Sequence, residues 1–419
     1  MHRTSRRSNS PFAAFTAVLA VGVLLLGAPL ASVAMTALPV VARDLGFHPD
    51  LTRAGLHPLA TPTCTTTSLC TSAVLNAYGF GPLLANATMN GTGQSVVIVD
   101  ACGDSNIVTD LSTFNTKMGL PPANLTIYQP QGAPCSDPTG WGLETALDVE
   151  WAHAMAPGAH LQLVEAATAS NKNLYGAWNY SLAHKLGNVI SNSWGGGGGC
   201  PANAKNLLAK ATRAHVSILA SSGDSARWGS GTRATAQQPA DCQAVVTIGG
   251  TSLHLVNGSG GYSSESAWSG SGGGYTAGTT EPSYQTTANI TDSFVELGKP
   301  DVSAVADPST GVWVFDKSSG GWLVVGGTSV ACPIWAGYVA DVNSWRAANS
   351  FAALGSVNSF LYLTIYGANG SASNYALTMH DVTTGSNGWS AGTGWDAATG
   401  LGSFRAYALA NVLANNAAA

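Results

Sequence analysis

The octapeptide Gly326-Gly327-Thr328-Ser329-Val330-Ala331-Cys332-Pro333 follows a short apolar run, Trp322-Leu323-Val324-Val325, and precedes a segment of helical character through Trp345. A strand that ends in two glycines and gives way to a helix puts the Ser329 hydroxyl at a strand-to-helix turn. Helix N-termini offer unpaired N–H groups and the positive end of the helix dipole. Nucleophilic serines favour such turns, because the hydroxyl is exposed while its backbone stays rigid. A glycine turn with a hydroxyl capping the next helix accounts for the octapeptide equally well when it is taken alone. Pro333, four residues beyond the serine, favours the catalytic reading, and the rest of the chain has to decide.

Upstream, apolar runs alternate with helical patterns. Ser95-Val96-Val97-Ile98-Val99-Asp100 reads as a buried strand, 106–117 as a helix, Leu125–Tyr128 as extended and 140–155 as a helix. His160–Glu165 is a strand, 171–185 a helix, Asn188–Ser193 a strand, 203–214 a helix and Val216–Ser221 a strand. Continuous apolar strands between helices predict an α/β fold, a mostly parallel sheet covered by helices on both faces. Residues 252–300, rich in Gly, Ser and Thr, read as long surface loops.

Composition narrows the class. Charged residues make up 9% of the 419, the net charge is −5, and Lys and Arg do not cluster beyond the N-terminus, which argues against a nucleic-acid partner. A surface poor in carboxylates loses little when they protonate, so it suits an acidic medium. Arg3, Arg6 and Arg7 precede an uncharged stretch from Pro11 to Ala42 with small residues at Ser32 and Ala34. This reads as a secretory signal, residues 1–34, in preference to a retained membrane anchor. Residues 35–74 read as an N-terminal arm too short for a full prodomain, and 75–419 as the main domain. Secretion makes disulfides the natural reading of the seven cysteines. Nearest-neighbour pairing gives Cys64–Cys70, Cys102–Cys135 and Cys200–Cys242, one connectivity among several, and leaves Cys332 as a buried thiol.

A serine nucleophile needs a base. None of the nine histidines sits in a glycine-rich H-G-T-type turn. The helix at 140–155 instead carries Glu144 and Asp148, four residues apart and therefore on one face. A solvated acidic face is the ordinary explanation of such a pair. Here acids are scarce, the surroundings are apolar, and Glu144, Asp148 and Glu150 fall within seven residues.

The run Glu-x-x-x-Asp-x-Glu-Trp followed by Ala156-Pro157-Gly158-Ala159 resembles the acid helix of the sedolisin family, the serine-carboxyl peptidases of subtilisin-like fold. The resemblance extends to Gly91-Thr92-Gly93-Gln94, Ser191-Asn192-Ser193-Trp194-Gly195, Ser221-Ser222-Gly223-Asp224-Ser225, Pro300–Pro308 and Ala391–Asp396. It implies Ser329 as nucleophile, Glu144 as general base, Asp148 as its orienting partner and a protonated Asp224 in the oxyanion position. Asp100 falls where the family often has a further acid. The C-terminal stretch from Asp381 reads by itself as a glycine-rich turn with Asx caps. The resemblance makes it a structural site for one Ca2+, held by the side chains of Asp381 and Asp396 and the carbonyls of Val382, Gly392 and Gly394. The chain departs from the family pattern at Gly326, where a serine is usual, and in the length of its arm. The implied protein is a secreted, monomeric, acid-active endopeptidase that cleaves protein or peptide substrates and has no membrane partner once its signal is removed. The alternatives are a tripeptidyl-type exopeptidase and a catalytically silent, calcium-stabilised binding domain.

Overall fold

The centre of the molecule is built from strands buried on both faces. In the computed structural model, which describes residues 62–136, 140–228, 236–258, 260–290 and 295–415 and the backbone pairing of 48–49 and 52–53, β1 (Ser95–Ala101) is an inner strand of the main sheet. Its alternate residues serve two cores: Val96 and Ile98 enter one, Val97, Val99 and Ala101 the other. That two-sided burial is why the strand reads as a continuous apolar run with no alternation.

In chain order there follow α1 (Ile107–Met118), β2 (Asn124–Tyr128), α2 (Trp141–Met155), β3 (His160–Ala166) and α3 (Asn171–His184). Next come β4 (Val189–Asn192), β5 (Trp194–Gly197), α4 (Ala202–Arg213), β6 (Ser217–Ser221), β7 (Val246–Leu255) and β8 (Tyr262–Ala267). The sheet order is β8-β7-β6-β4-β1-β3-β2, and β9 (Val302–Val305) also pairs with β7. Every pairing is parallel except that of β8 with β7. The expected subtilisin-like α/β sheet is therefore present, with each predicted strand and helix within a residue or two of its place. One strand is split: Asn188–Ser193 ends at Asn192, and Trp194 begins the separate β5.

Residues 252–300 differ from the expected surface loops. They hold the end of β7, β8, the paired strands Gly274–Thr280 and Glu296–Lys299, and the helix Ser283–Ala288. Small polar side chains carry no hydrophobic period, so these strands leave no pattern to read. They are held by buried polar contacts. Glu265 on β8 is buried and accepts hydrogen bonds from Tyr78, Thr251 and Ser403. Lys299 and Asp301 form a wholly buried ion pair at 2.6 Å, and Asp301 also accepts from the Thr247 amide on β7.

The three disulfides join nearest neighbours, and Cys332 is free and buried. Among the described residues no helix is long and apolar enough to cross a membrane. The stretch read as a secretory signal, residues 1–34, lies outside the described residues.

Candidate active site

The hairpin of β10 (Gly311–Asp316) and β11 (Gly321–Gly326) delivers the chain to Ser329. Gly326 is confined by backbone: a Cβ there would lie 2.4 Å from Pro308 N and 2.5 Å from Ala306 O. The departure from the usual serine is thus a packing requirement of this chain. Gly327, at φ 114°, donates to Ala306 O at 2.6 Å and turns the backbone in a region that favours glycine. Helix α5 (Thr328–Ala348) then begins, which puts Ser329 in its first turn, buried.

Pro333 has no N–H to give the Ser329 carbonyl its helical partner. The Ser193 hydroxyl lies 3.4 Å from that carbonyl, and the Ser329 hydroxyl donates to Ser193 O at 3.4 Å. Ser193 Oγ donates to Asp148 Oδ1 at 2.7 Å. Ser193, at the break between β4 and β5, therefore ties the serine turn to the acid helix. The sequence alone gives Ser193 no task; its one signal is a serine where the apolar strand breaks.

Every residue of α2 is buried, so Glu144 and Asp148 lie inside the protein and not on a solvated face. The helix packs against α5 at Gly337, where a Cβ would meet Met155 Cβ at 2.6 Å. Glu144 stands one turn before Asp148 on the same face. Burial, and then the charge of Asp100, push the Asp148 carboxyl well above the ordinary carboxylate range. Burial, with Glu165 adding and Thr145 opposing, pushes Asp100 to about 7. Asp100 ends its run on β1 close enough to Asp148 for their charges to interact. Trp194, which begins β5, donates its indole N–H to Val99 O, one residue before Asp100.

Asp224 follows β6 and faces the start of α5. Its Oδ1 accepts from the Thr328 amide at 2.8 Å and the Thr328 hydroxyl at 3.0 Å. The same hydroxyl accepts from the Gly223 amide at 3.0 Å. Asp224 is so pinned to the residue next to Ser329. Cys332 lies in the following turn, 3.4 Å from Ser191 Oγ; burial and the nearby Asp148 push its thiol up to about 12.

Both edges beside this serine are occupied by backbone of the N-terminal arm. His48–Pro49 pairs antiparallel with Trp194–Gly195 of β5, and Thr52–Arg53 pairs antiparallel with Val325–Gly326 of β11.

The C-terminal residues form a separate cluster. Gly394 N donates to both oxygens of Asp381, at 3.2 and 3.1 Å, and Gly392 N donates to Asp396 Oδ2 at 2.9 Å. Two carboxylates thus accept from the amides of one short loop, 392–394. Carboxylate oxygens are the kind of donor that fits a calcium ion.

A twisted parallel sheet, a serine in the first turn of a central helix and carboxylates gathered around that turn define a subtilisin-like serine-peptidase scaffold. Residues 126–395 match the Subtilase family model. Kumamolisin from Bacillus sp. (strain MN-32) is 30% identical over 75% of this chain and 59% of its own length. Sedolisin from Pseudomonas sp. (strain 101) is 29% identical over 76% of this chain and 57% of its own length. A solved structure of Pseudomonas sedolisin, a serine-carboxyl proteinase complexed with pseudo-iodotyrostatin, superimposes with a TM-score of 0.71 at 27% identity. That alignment covers 84% of this chain and 99% of the sedolisin chain. The protein belongs to the subtilase family, in its sedolisin branch. It spans under two thirds of the length of these two curated relatives.

Proposed function

We propose that the protein is a secreted serine-carboxyl peptidase, acting as an endopeptidase on protein or peptide substrates in acid. The observation that carries this reading is the Ser193 bridge, which joins Ser329 to the buried acid helix through Asp148. Ser329 Oγ attacks the substrate carbonyl carbon while its proton passes to Glu144, oriented by Asp148 one turn further along the helix. A carboxylate base remains usable at a pH where histidine is already protonated. Collapse of the tetrahedral intermediate returns that proton to the leaving amine, and water then releases the acyl group by the reverse route.

Asp224 acts as oxyanion donor in its protonated form. Two donors already occupy its Oδ1, so the acidic proton belongs on Oδ2, which turns that oxygen into a donor. The arm's pairing with β5 and β11 supports the view that a peptide lies across Ser329 as an antiparallel strand. Asp381, Asp396 and the carbonyls of Val382, Gly392 and Gly394 would hold one calcium ion, which would supply a structural cross-link between two stretches of the C-terminal region.

The test is digestion of a peptide library by purified protein at pH 4, with Ser329→Ala as control. Internal cleavage by the wild type, together with loss of cleavage and of serine-directed phosphonate labelling in the variant, is expected. Release of N-terminal tripeptides alone would favour exopeptidase action. Cleavage retained by Ser329→Ala would remove the mechanism.

A further inference from the structure

We propose that Asp104, Asp110 and Asp316 form a second calcium site, faced by Glu150, which clamps the β10–β11 hairpin to the start of α1. None of these residues belongs to the serine site or to the C-terminal cluster. Asp104 lies in the loop after β1, Asp110 in the first turn of α1, and Asp316 at the end of β10. All three are buried, and one carboxylate oxygen from each lies within 4.8 Å of the others. Two oxygens bound to one calcium at about 2.4 Å can be no further apart than about twice that length, a limit that all three pairs here meet.

Main-chain amides hold each carboxylate by one oxygen. Asn106 N donates to Asp104 Oδ1 at 2.8 Å, Lys317 N to Asp110 Oδ2 at 3.0 Å and Ser318 N to Asp316 Oδ1 at 2.8 Å. The Asp104 Oδ2 atom is buried with no hydrogen-bond partner. A second, independent feature points to the same place. Glu150, from α2, is wholly buried; Phe315 N donates to its Oε2 at 3.1 Å, while its Oε1 has no partner. Its carboxylate interacts with the charges of Asp110, Asp316 and Asp104.

Four buried carboxyls from four chain segments repel one another strongly at neutral pH unless a cation is shared. The neighbouring cation is Lys317, whose charge acts on Asp110. An exclusively oxygen donor set, much of it carboxylate, selects a hard ion, and irregular geometry drawn from loop and helix suits calcium better than magnesium. A cleft lined in part by Gly103, Asp104, Ser105, Ile107, Val108 and Ser318 reaches the cluster at Asp104. The ion would reinforce the bond from Asn106 Nδ2 to Ser318 Oγ at 2.9 Å, which already crosses from the start of α1 to the hairpin turn. That hairpin carries the chain to Ser329.

The test is the calcium content of the full-length protein at pH 7, after dialysis against calcium chloride and removal of free ion. Two equivalents are expected in the wild type, and one in each of Asp104→Asn, Asp316→Asn and Asp396→Ala. No calcium in the wild type overturns the second site, as does wild-type content in both aspartate-to-asparagine variants. Asp396→Ala keeps the test decisive if those two variants do not fold: one remaining equivalent supports the cluster, and none overturns it. Calcium content is read independently of peptidase activity, so the proposed function can fail without this proposal failing.

Discussion

Ser193, Asp224 and Gly326 show how much of the serine turn is held by single atoms. Ser193 has one proton and two acceptors in reach, Asp148 Oδ1 at 2.7 Å and Ser329 O at 3.4 Å. Its replacement by Ala leaves a buried carboxylate oxygen without its donor, and a loss of about 1–3 kcal/mol in stability is expected by urea unfolding. Asp224 separates this chemistry from any histidine-based scheme. In the proposed mechanism, ionisation of Asp224 would remove the oxyanion donor and add repulsion, so activity should fall as pH rises, while Glu144 would act only when ionised and so set the acidic limb. Asn at position 224 keeps a donor that does not titrate. We expect Asp224→Asn to retain measurable turnover and move the upper limb of the pH–rate profile toward neutrality. Asp224→Ala should lose roughly a hundredfold or more in kcat. An unshifted upper limb in Asp224→Asn would exclude Asp224 from this role. Glu144→Gln should lose nearly as much as Ser329→Ala, since an amide does not accept the proton; a rate near the wild type's would make the acid helix purely structural.

Helices α2 and α5 meet with no room to spare. At Gly337 an added methyl group would lie 2.6 Å from Met155 Cβ and 3.0 Å from the Ala152 carbonyl oxygen. Helices this close shift as rigid bodies when overpacked. Gly337→Ala should therefore cost about 1–3 kcal/mol. It should also lower kcat by displacing Asp148 from Ser193. Equilibrium unfolding and kinetics on the same preparation check the pair of effects; a variant as stable and active as the wild type would show that the helices part freely. The helices themselves were legible from sequence, but their spacing was not. Glycines 326 and 337 look alike in a sequence, and only their neighbours, Pro308 in one case and Met155 in the other, show why no side chain is present.

Across the molecule, buried carboxyls tie stability to acid. Burial raises Asp100, Asp148, Glu265 and Asp341 above their ordinary values. A carboxyl whose folded value is raised favours the fold while protonated; that contribution is complete below its unfolded value and is lost as pH rises through the folded one. For Asp100 the window runs from about 4 in the unfolded chain to about 7 in the fold. The melting temperature should therefore fall between those values, and less steeply in Asp100→Asn; equal slopes would show that Asp100 does not contribute. Calcium acts in the opposite sense, since carboxylates bind it when ionised. At neutral pH a strong chelator should lower the melting temperature and added calcium restore it, with the part due to Asp396 absent in Asp396→Ala. A melting curve unmoved by chelation would count against both calcium sites.

The alternation of apolar runs and helices determined the parallel sheet, because two-sided burial of a strand and the period of a helix are set by near neighbours in the chain. The order of motifs likewise determined the family and the residues worth testing. The disulfides join neighbouring cysteines, a pairing that spacing offered as one connectivity among several and the structure fixed. Tertiary structure alone decided what those residues touch. Ser193 reaches Asp148 and Ser329 across 45 and 136 residues of chain, and Asp104 meets Asp316 across a longer stretch still. It also decided that Tyr262–Ala267 forms a strand, since its hold comes from Glu265 and its distant donors and not from any hydrophobic period. Contacts of that kind depend on how sheet and helices register against one another, and no single stretch of sequence carries that register.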